Sequence, residues 1–118
     1  MKYMMLIYGS ETEIQDAARI ACYGESAAFA RELDATGKFV AAGPLQSVST
    51  ATSVRPVDGK RIVTDGPFAE TREQLGGYFI VEATDLDDAV EIAKKIPGGR
   101  FGTIEIRPMV HVDGVPGE

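Results

Sequence analysis

A chain of 118 residues, 44% apolar and 25% charged, is long enough for one soluble domain and too short for two with separate cores. A net charge of −6 argues against phosphate-backbone binding, so nucleic acid is not an expected partner, and a single cysteine excludes an internal disulfide and fits a reducing compartment. No apolar run approaches the roughly 20 residues of a membrane span, and no cleavable leader follows Met1, so no membrane association is expected and the cytoplasm is the expected location.

The segment Lys2–Tyr8 is apolar after its lysine, with Tyr3, Met5 and Ile7 on one face and Met4, Leu6 and Tyr8 on the other. Large apolar side chains on both faces predict a central strand covered twice. Gly9-Ser10 ends it, and polar Glu11–Asp16 leads into helical composition that runs to Thr36, with Gly37 as its stop. Ala18, Cys22, Phe29 and Leu33 recur at helical spacing as one apolar stripe, and Gly24 marks an expected break or kink. On that stripe Cys22 reads as a small core residue, since no cationic pattern beside it favours a thiolate nucleophile.

Phe39–Ala42 forms the next strand, closed by Gly43-Pro44. Val48–Val57 then alternates loosely into Asp58-Gly59, a two-residue hairpin signal, and Arg61–Thr64 is the returning arm. The stretch Asp65–Gly77 is polar, punctuated by Gly66-Pro67 and Gly76-Gly77, and longer than an ordinary hairpin connection. Tyr78–Ala83 is β-branched and aromatic. Asp85 or Thr84 then caps a helix with apolar positions Leu86, Ala89, Val90, Ala93 and Ile96, acids in its first turn and Lys94-Lys95 in its last. Pro97-Gly98-Gly99 stops it, and Thr103–Arg107 alternates as a last strand.

That order predicts an α+β, ferredoxin-like domain over residues 1–110: an antiparallel sheet, two helices on one face, and the hairpin Thr50–Thr64 inserted between the middle strands. Residues 111–118 form a Gly/Pro-rich tail expected to be loosely ordered. The face away from the helices would expose Met and Tyr, so a homodimer is the expected cover.

Chemistry points to the segment after the hairpin. Asp65-Gly66-Pro67-Phe68 reads as a turn, with Gly66 at an unusual φ, Pro67 fixing its own and Phe68 plugging the core. Its functional reading sets Asp65 at a strand end, joined by Glu70 and Glu73, so that crowded carboxylates exchange protons near neutral pH. Asp65 and Glu70 are then the candidate catalytic pair, with Tyr8, Pro67, Phe68, Arg72 and Glu73 as candidate ligand contacts and Arg72 as the group that neutralises a carboxylate. Glu70–Glu73 also reads as a plain solvated turn, and Gly76-Gly77 as a bulge or a close backbone approach. His111 is the one histidine, near the chain end, so neither a Ser-His-Asp set nor a zinc site is expected; no metal or cofactor is predicted.

Thr64-Asp65-Gly66-Pro67-Phe68, Glu70-Thr71-Arg72-Glu73, Leu75-Gly76-Gly77-Tyr78 and Ile104-Glu105-Ile106-Arg107-Pro108 together resemble the DGPF-domain proteins, a branch of the YCII-related superfamily. The resemblance covers nearly the whole chain and implies a ferredoxin-like fold of the dimeric α/β-barrel type in a bacterial cytoplasmic protein. In the YCII-like branch proper, a His on the first helix and an Asp after the Gly-Pro of the second strand look like an acid–base pair. With Gly37 and Gly43-Pro44 in register, Ser26 and Ser47 stand at those places here, and neither can do that work. The function expected is binding of a small organic metabolite in a cleft bordered by Asp65–Glu73, with carboxylate proton transfer as its catalytic form. The rival is a non-catalytic regulatory or interaction module, for instance one that contacts an extracytoplasmic-function sigma factor, the setting in which the family is often found.

Overall fold

In the computed structural model, which describes residues 1–117, strands β1 (Lys2–Gly9), β2 (Phe39–Pro44), β5 (Gln74–Glu82) and β6 (Gly102–Pro108) form one antiparallel sheet in the order β2-β5-β1-β6. Helix α1 (Asp16–Ala35) connects β1 to β2, and α2 (Leu86–Lys94) connects β5 to β6. A separate two-stranded sheet holds β3 (Thr52–Val57) and β4 (Lys60–Asp65). This is the α+β, ferredoxin-like architecture that the order of signals predicts, and β1 is an interior strand as expected.

Strict alternation along β1 and β5 decides which face is covered. Tyr3 and Met5 of β1 and Phe79, Val81 and Ala83 at β5 are buried, and their neighbours Met4, Leu6, Tyr78 and Ile80 are only half-buried. Phe29 and Leu33 from α1 and Ala89, Ile92 and Ala93 from α2 complete the core, together with Ile96 beyond α2. Phe79 is its centre, its ring 5.8 Å from Phe29 and 6.5 Å from Phe39. Each such side chain contributes about 1.5–3 kcal/mol of burial. Within this chain β1 is thus covered on one face, and its other face is half-buried.

Helix α1 continues unbroken through Gly24, in a segment where Ala21, Ala27 and Ala28 are strong helix formers. At its end Gly37 takes φ +73°, and Gly37 N–H donates to Asp34 O at 3.0 Å. Asp85 caps α2 by accepting the Asp88 N–H at 2.9 Å. The connection after β4 is shorter than the polar composition suggests, because β5 already begins at Gln74. Gly76 forms a bulge, with Ile7 opposite Gly77 and Tyr8 opposite Leu75. Gly77 also lets the backbones close: a Cβ there would lie 2.9 Å from Gly43 O.

Candidate functional site

A cleft opens between the N-terminal half of α1 and the sheet because small residues face each other there. On α1 only Phe29 and Leu33, in its C-terminal half, are buried. Cys22, Ser26, Ala27 and Ala30 look across at Gly43, Gly76, Gly77 and Gly98, and no side chain fills the gap. Two adjoining cavities of about 300 Å³ each result, and they share Ile7, Cys22, Tyr23, Gly76 and Gly98. One is apolar, walled by Phe39, Ala42, Pro44 and Phe79. The other carries the polar groups of Glu11, Arg19, Gln46, Ser47 and Gln74. The pair matches the usual form of a small-molecule site, an apolar concavity with a few placed polar groups.

Its rim is tied by hydrogen bonds. Ser47 Oγ donates to Glu11 Oε1 at 2.7 Å and Val48 N–H to Glu11 Oε2 at 3.0 Å, which anchors the 3-10 turn Val48–Thr50. Glu11 N–H donates to Gln74 Oε1 at 3.0 Å, and Gln74 Nε2 donates to Thr71 O at 2.6 Å. Arg19 binds Asp16 at 2.9 Å and donates to the carbonyls of Glu11 and Ile14. Behind the cleft Arg100 grips Glu25 of α1 through two bonds of 2.6 and 3.0 Å, and this guanidinium holds the Glu25 carboxyl below its usual range.

Of the candidates from sequence, Tyr8 lines the cleft. Burial, then the charge of Glu105, raise its phenol above the ordinary value, and its hydroxyl donates to Glu105 Oε1 at 3.3 Å. The others lie elsewhere. Asp65, Pro67, Glu70 and Arg72 are exposed, and Phe68, at 87% exposure, projects into solvent and does not plug the core. Glu73 accepts the Thr103 hydroxyl at 2.9 Å. Among the described residues, no hydrogen bond or ion pair joins Asp65 to Glu70 or Glu73, and no group of three His, Cys, Asp or Glu side chains is placed to hold a metal. The turn features of Asp65-Gly66-Pro67 are present: Gly66 has φ +98°, and its N–H donates to Ala51 O at 2.7 Å. The segment meets the cleft where it ends, at Gln74.

Sequence reasoning misses Glu11, Arg19, Tyr23 and Gln74, because only the fold brings the β1–α1 connection against the turn after β2. It also misplaces Cys22, which is half-buried on the cleft wall with its Sγ 4.0 Å from Ser26 Oγ. The signal that could have found the cleft is the small face of α1 together with the glycines Gly43, Gly76-Gly77 and Gly98. Ser26 and Ser47, which stand where the resembling branch has its acid–base pair, both line the cleft, Ser26 in its apolar part and Ser47 in its polar part.

The family model described as the YCII-related domain matches residues 1–113. An uncharacterized protein of Rhizobium meliloti (strain 1021) is 33% identical over 118 residues, covering 92% of each chain. Among solved structures, 5-chloro-2-hydroxyhydroquinone dehydrochlorinase (TftG) from Burkholderia phenoliruptrix AC1100, in complex with 2,5-dihydroxybenzoquinone, superposes with a TM-score of 0.58 at 19% identity, over 95% of this chain and 96% of that one. At that identity the likeness is one of fold.

Proposed function

This chain belongs to the YCII-related family, and from that premise we propose that it binds a small organic molecule in the cleft between α1 and the sheet, as a homodimeric bacterial cytoplasmic protein. The observation that carries this reading is the unfilled, two-part cavity, one part apolar and the other lined with polar groups. Its size suits a single ring compound with hydroxyl or carbonyl oxygens. Such a ligand would rest its body against Phe39, Ala42 and Phe79 and direct its oxygens to Ser26, Ser47, Tyr23 or Gln74. The fold neighbour's bound 2,5-dihydroxybenzoquinone belongs to that chemical class. The half-buried Met4, Leu6 and Ile80 support the homodimer.

With serines at the two places where the resembling branch has its acid–base pair, the cleft favours binding over general acid–base chemistry. Proton transfer by Asp65 and Glu70 is the catalytic extension of the same reading, and it requires their segment, which ends at Gln74, to fold over a ligand held at the mouth. A screen of hydroxylated ring compounds by thermal shift, followed by assay of the hits for turnover, tests both parts. Hits that stabilise the protein support the cleft. If Asp65→Asn and Glu70→Gln retain all stabilisation and turnover of the parent, those two residues have no part in it.

A second reading has its own observation. Phe68, at 87% exposure on a turn rich in charge, is the form of a protein-contact residue, and in that reading the segment engages a regulatory partner such as a sigma factor. Recovery of one partner by the parent and its loss on Phe68→Ala together with Arg72→Ala would favour it.

A further inference from the structure

Charge is sparse along the cleft, and what there is does not balance. Of the side chains that line its two parts, only Glu11 and Arg19 carry a formal charge. Arg19 has its own counter-ion on the same helix: Nη1 donates to Asp16 Oδ1 at 2.9 Å, and Nη2 turns to the carbonyls of Glu11 at 3.2 Å and Ile14 at 3.4 Å. Glu11 has none. Its two carboxylate oxygens accept from neutral groups, the Ser47 hydroxyl at 2.7 Å and the Val48 N–H at 3.0 Å, so one cation and two anions leave the polar part negative. Arg100 and Glu25, behind the cleft, compensate each other through two bonds. The polar groups left for a ligand are uncharged: among the described residues no hydrogen bond engages the side chains of Tyr23 and Gln46, and Ser26 Oγ has only Cys22 Sγ at 4.0 Å.

We infer that the cleft takes neutral ring compounds and rejects their carboxylates, with Glu11 as the residue that sets this preference. Two effects add. A ligand carboxylate in the polar part meets a like charge that no free cation balances, and the repulsion is stronger in a partly enclosed cleft than in bulk water. The donors that would otherwise receive it, the Ser47 hydroxyl and the Val48 N–H, already hold the Glu11 carboxylate, so a second carboxylate has to break two hydrogen bonds and strand the first. A phenol, alcohol or carbonyl meets no such conflict. Its oxygens exchange hydrogen bonds with Tyr23, Ser26 and Gln46, groups that donate and accept, while its ring rests on Phe39 and Phe79. This selectivity rests on the binding function proposed above and adds to it which compounds the same cleft admits.

Titration calorimetry with a matched set, para-hydroxybenzyl alcohol, para-hydroxybenzylamine and para-hydroxybenzoate, tests it on the parent, on Glu11→Gln and on Ala27→Trp. Glu11→Gln removes the charge and keeps the lip tied, its amide oxygen accepting the Val48 N–H and its amide nitrogen donating to Ser47 Oγ. The parent is expected to bind the alcohol about tenfold or more tighter than the acid, and the amine tighter than the acid. In Glu11→Gln the deficit of the acid is expected to shrink to about threefold or less. An acid bound as tightly as the alcohol, an amine as weak as the acid, or a deficit that survives Glu11→Gln would overturn the selectivity, and the cleft stands if Ala27→Trp still weakens binding. Binding that Ala27→Trp leaves intact, or no binding of any of the three to the parent, would overturn the selectivity together with the single-ring reading beneath it. Should Glu11→Gln fail to fold, salt decides on the parent: the deficit of the acid is expected to narrow as ionic strength rises, and a deficit indifferent to salt contradicts the inference.

Discussion

Glu11 and Ser47, 36 positions apart, are joined by a 2.7 Å hydrogen bond that fastens the β1–α1 connection to the turn after β2 across the mouth of the cleft. The same carboxylate accepts the Val48 N–H at 3.0 Å, so a single side chain sets the position of one lip.

Replacing Glu11 with Ala therefore removes two charge-assisted bonds at a half-exposed site. The expected loss is about 1 kcal/mol, read as a fall of about 4 °C in Tm, and any ligand of the cleft should lose affinity beyond that global effect. Calorimetry of the variant with and without a cleft ligand separates the two. An unchanged Tm together with unchanged binding would mean the lip is held by other contacts.

Two glycines should respond to alanine with opposite sign. Gly77→Ala puts a Cβ 2.9 Å from Gly43 O between the paired strands β2 and β5, which costs about 1–3 kcal/mol. Gly24→Ala meets nothing within 4 Å on an exposed helical face and should stabilise by up to about 1 kcal/mol. Denaturant midpoints measured side by side check both signs.

Asp88 gives a pH dependence. The Thr84 N–H at 3.0 Å, and after it Lys38 at 3.2 Å, hold its carboxyl below the ordinary value of 3.8. A depressed carboxylate contributes stability that is fully present above its unfolded value and is lost as pH falls through the folded one. The Tm difference between the parent and Asp88→Asn should thus be constant from neutral pH down to about 5 and shrink below 3.8. A difference that grows with acid would reverse the sign and refute the assignment.

Much of the fold was legible because its signals are local and agree: alternation in β1 and β5, Asp85 before α2, Gly37 after α1, and Asp58-Gly59 with positive φ at both residues. Gly76-Gly77 reads as either a bulge or a close approach, and the structure has the bulge at Gly76 and the close approach at Gly77. The cleft was not legible, because it is an absence of side chains, made where small residues of α1 face glycines distant in sequence. The charged stretch after Asp65 drew attention through composition, yet composition does not say where side chains point, and Phe68 points outward.

The most direct test of the central claim is a titration of ring-compound hits from thermal shift into the parent and into Ala27→Trp, which places an indole in the cleft from an exposed helical position without touching the core. The cleft reading predicts that binding falls by tenfold or more, the loss of about 1.4 kcal/mol or more, while the unliganded Tm stays near that of the parent. Equal binding by both proteins would place the ligand elsewhere and contradict the claim.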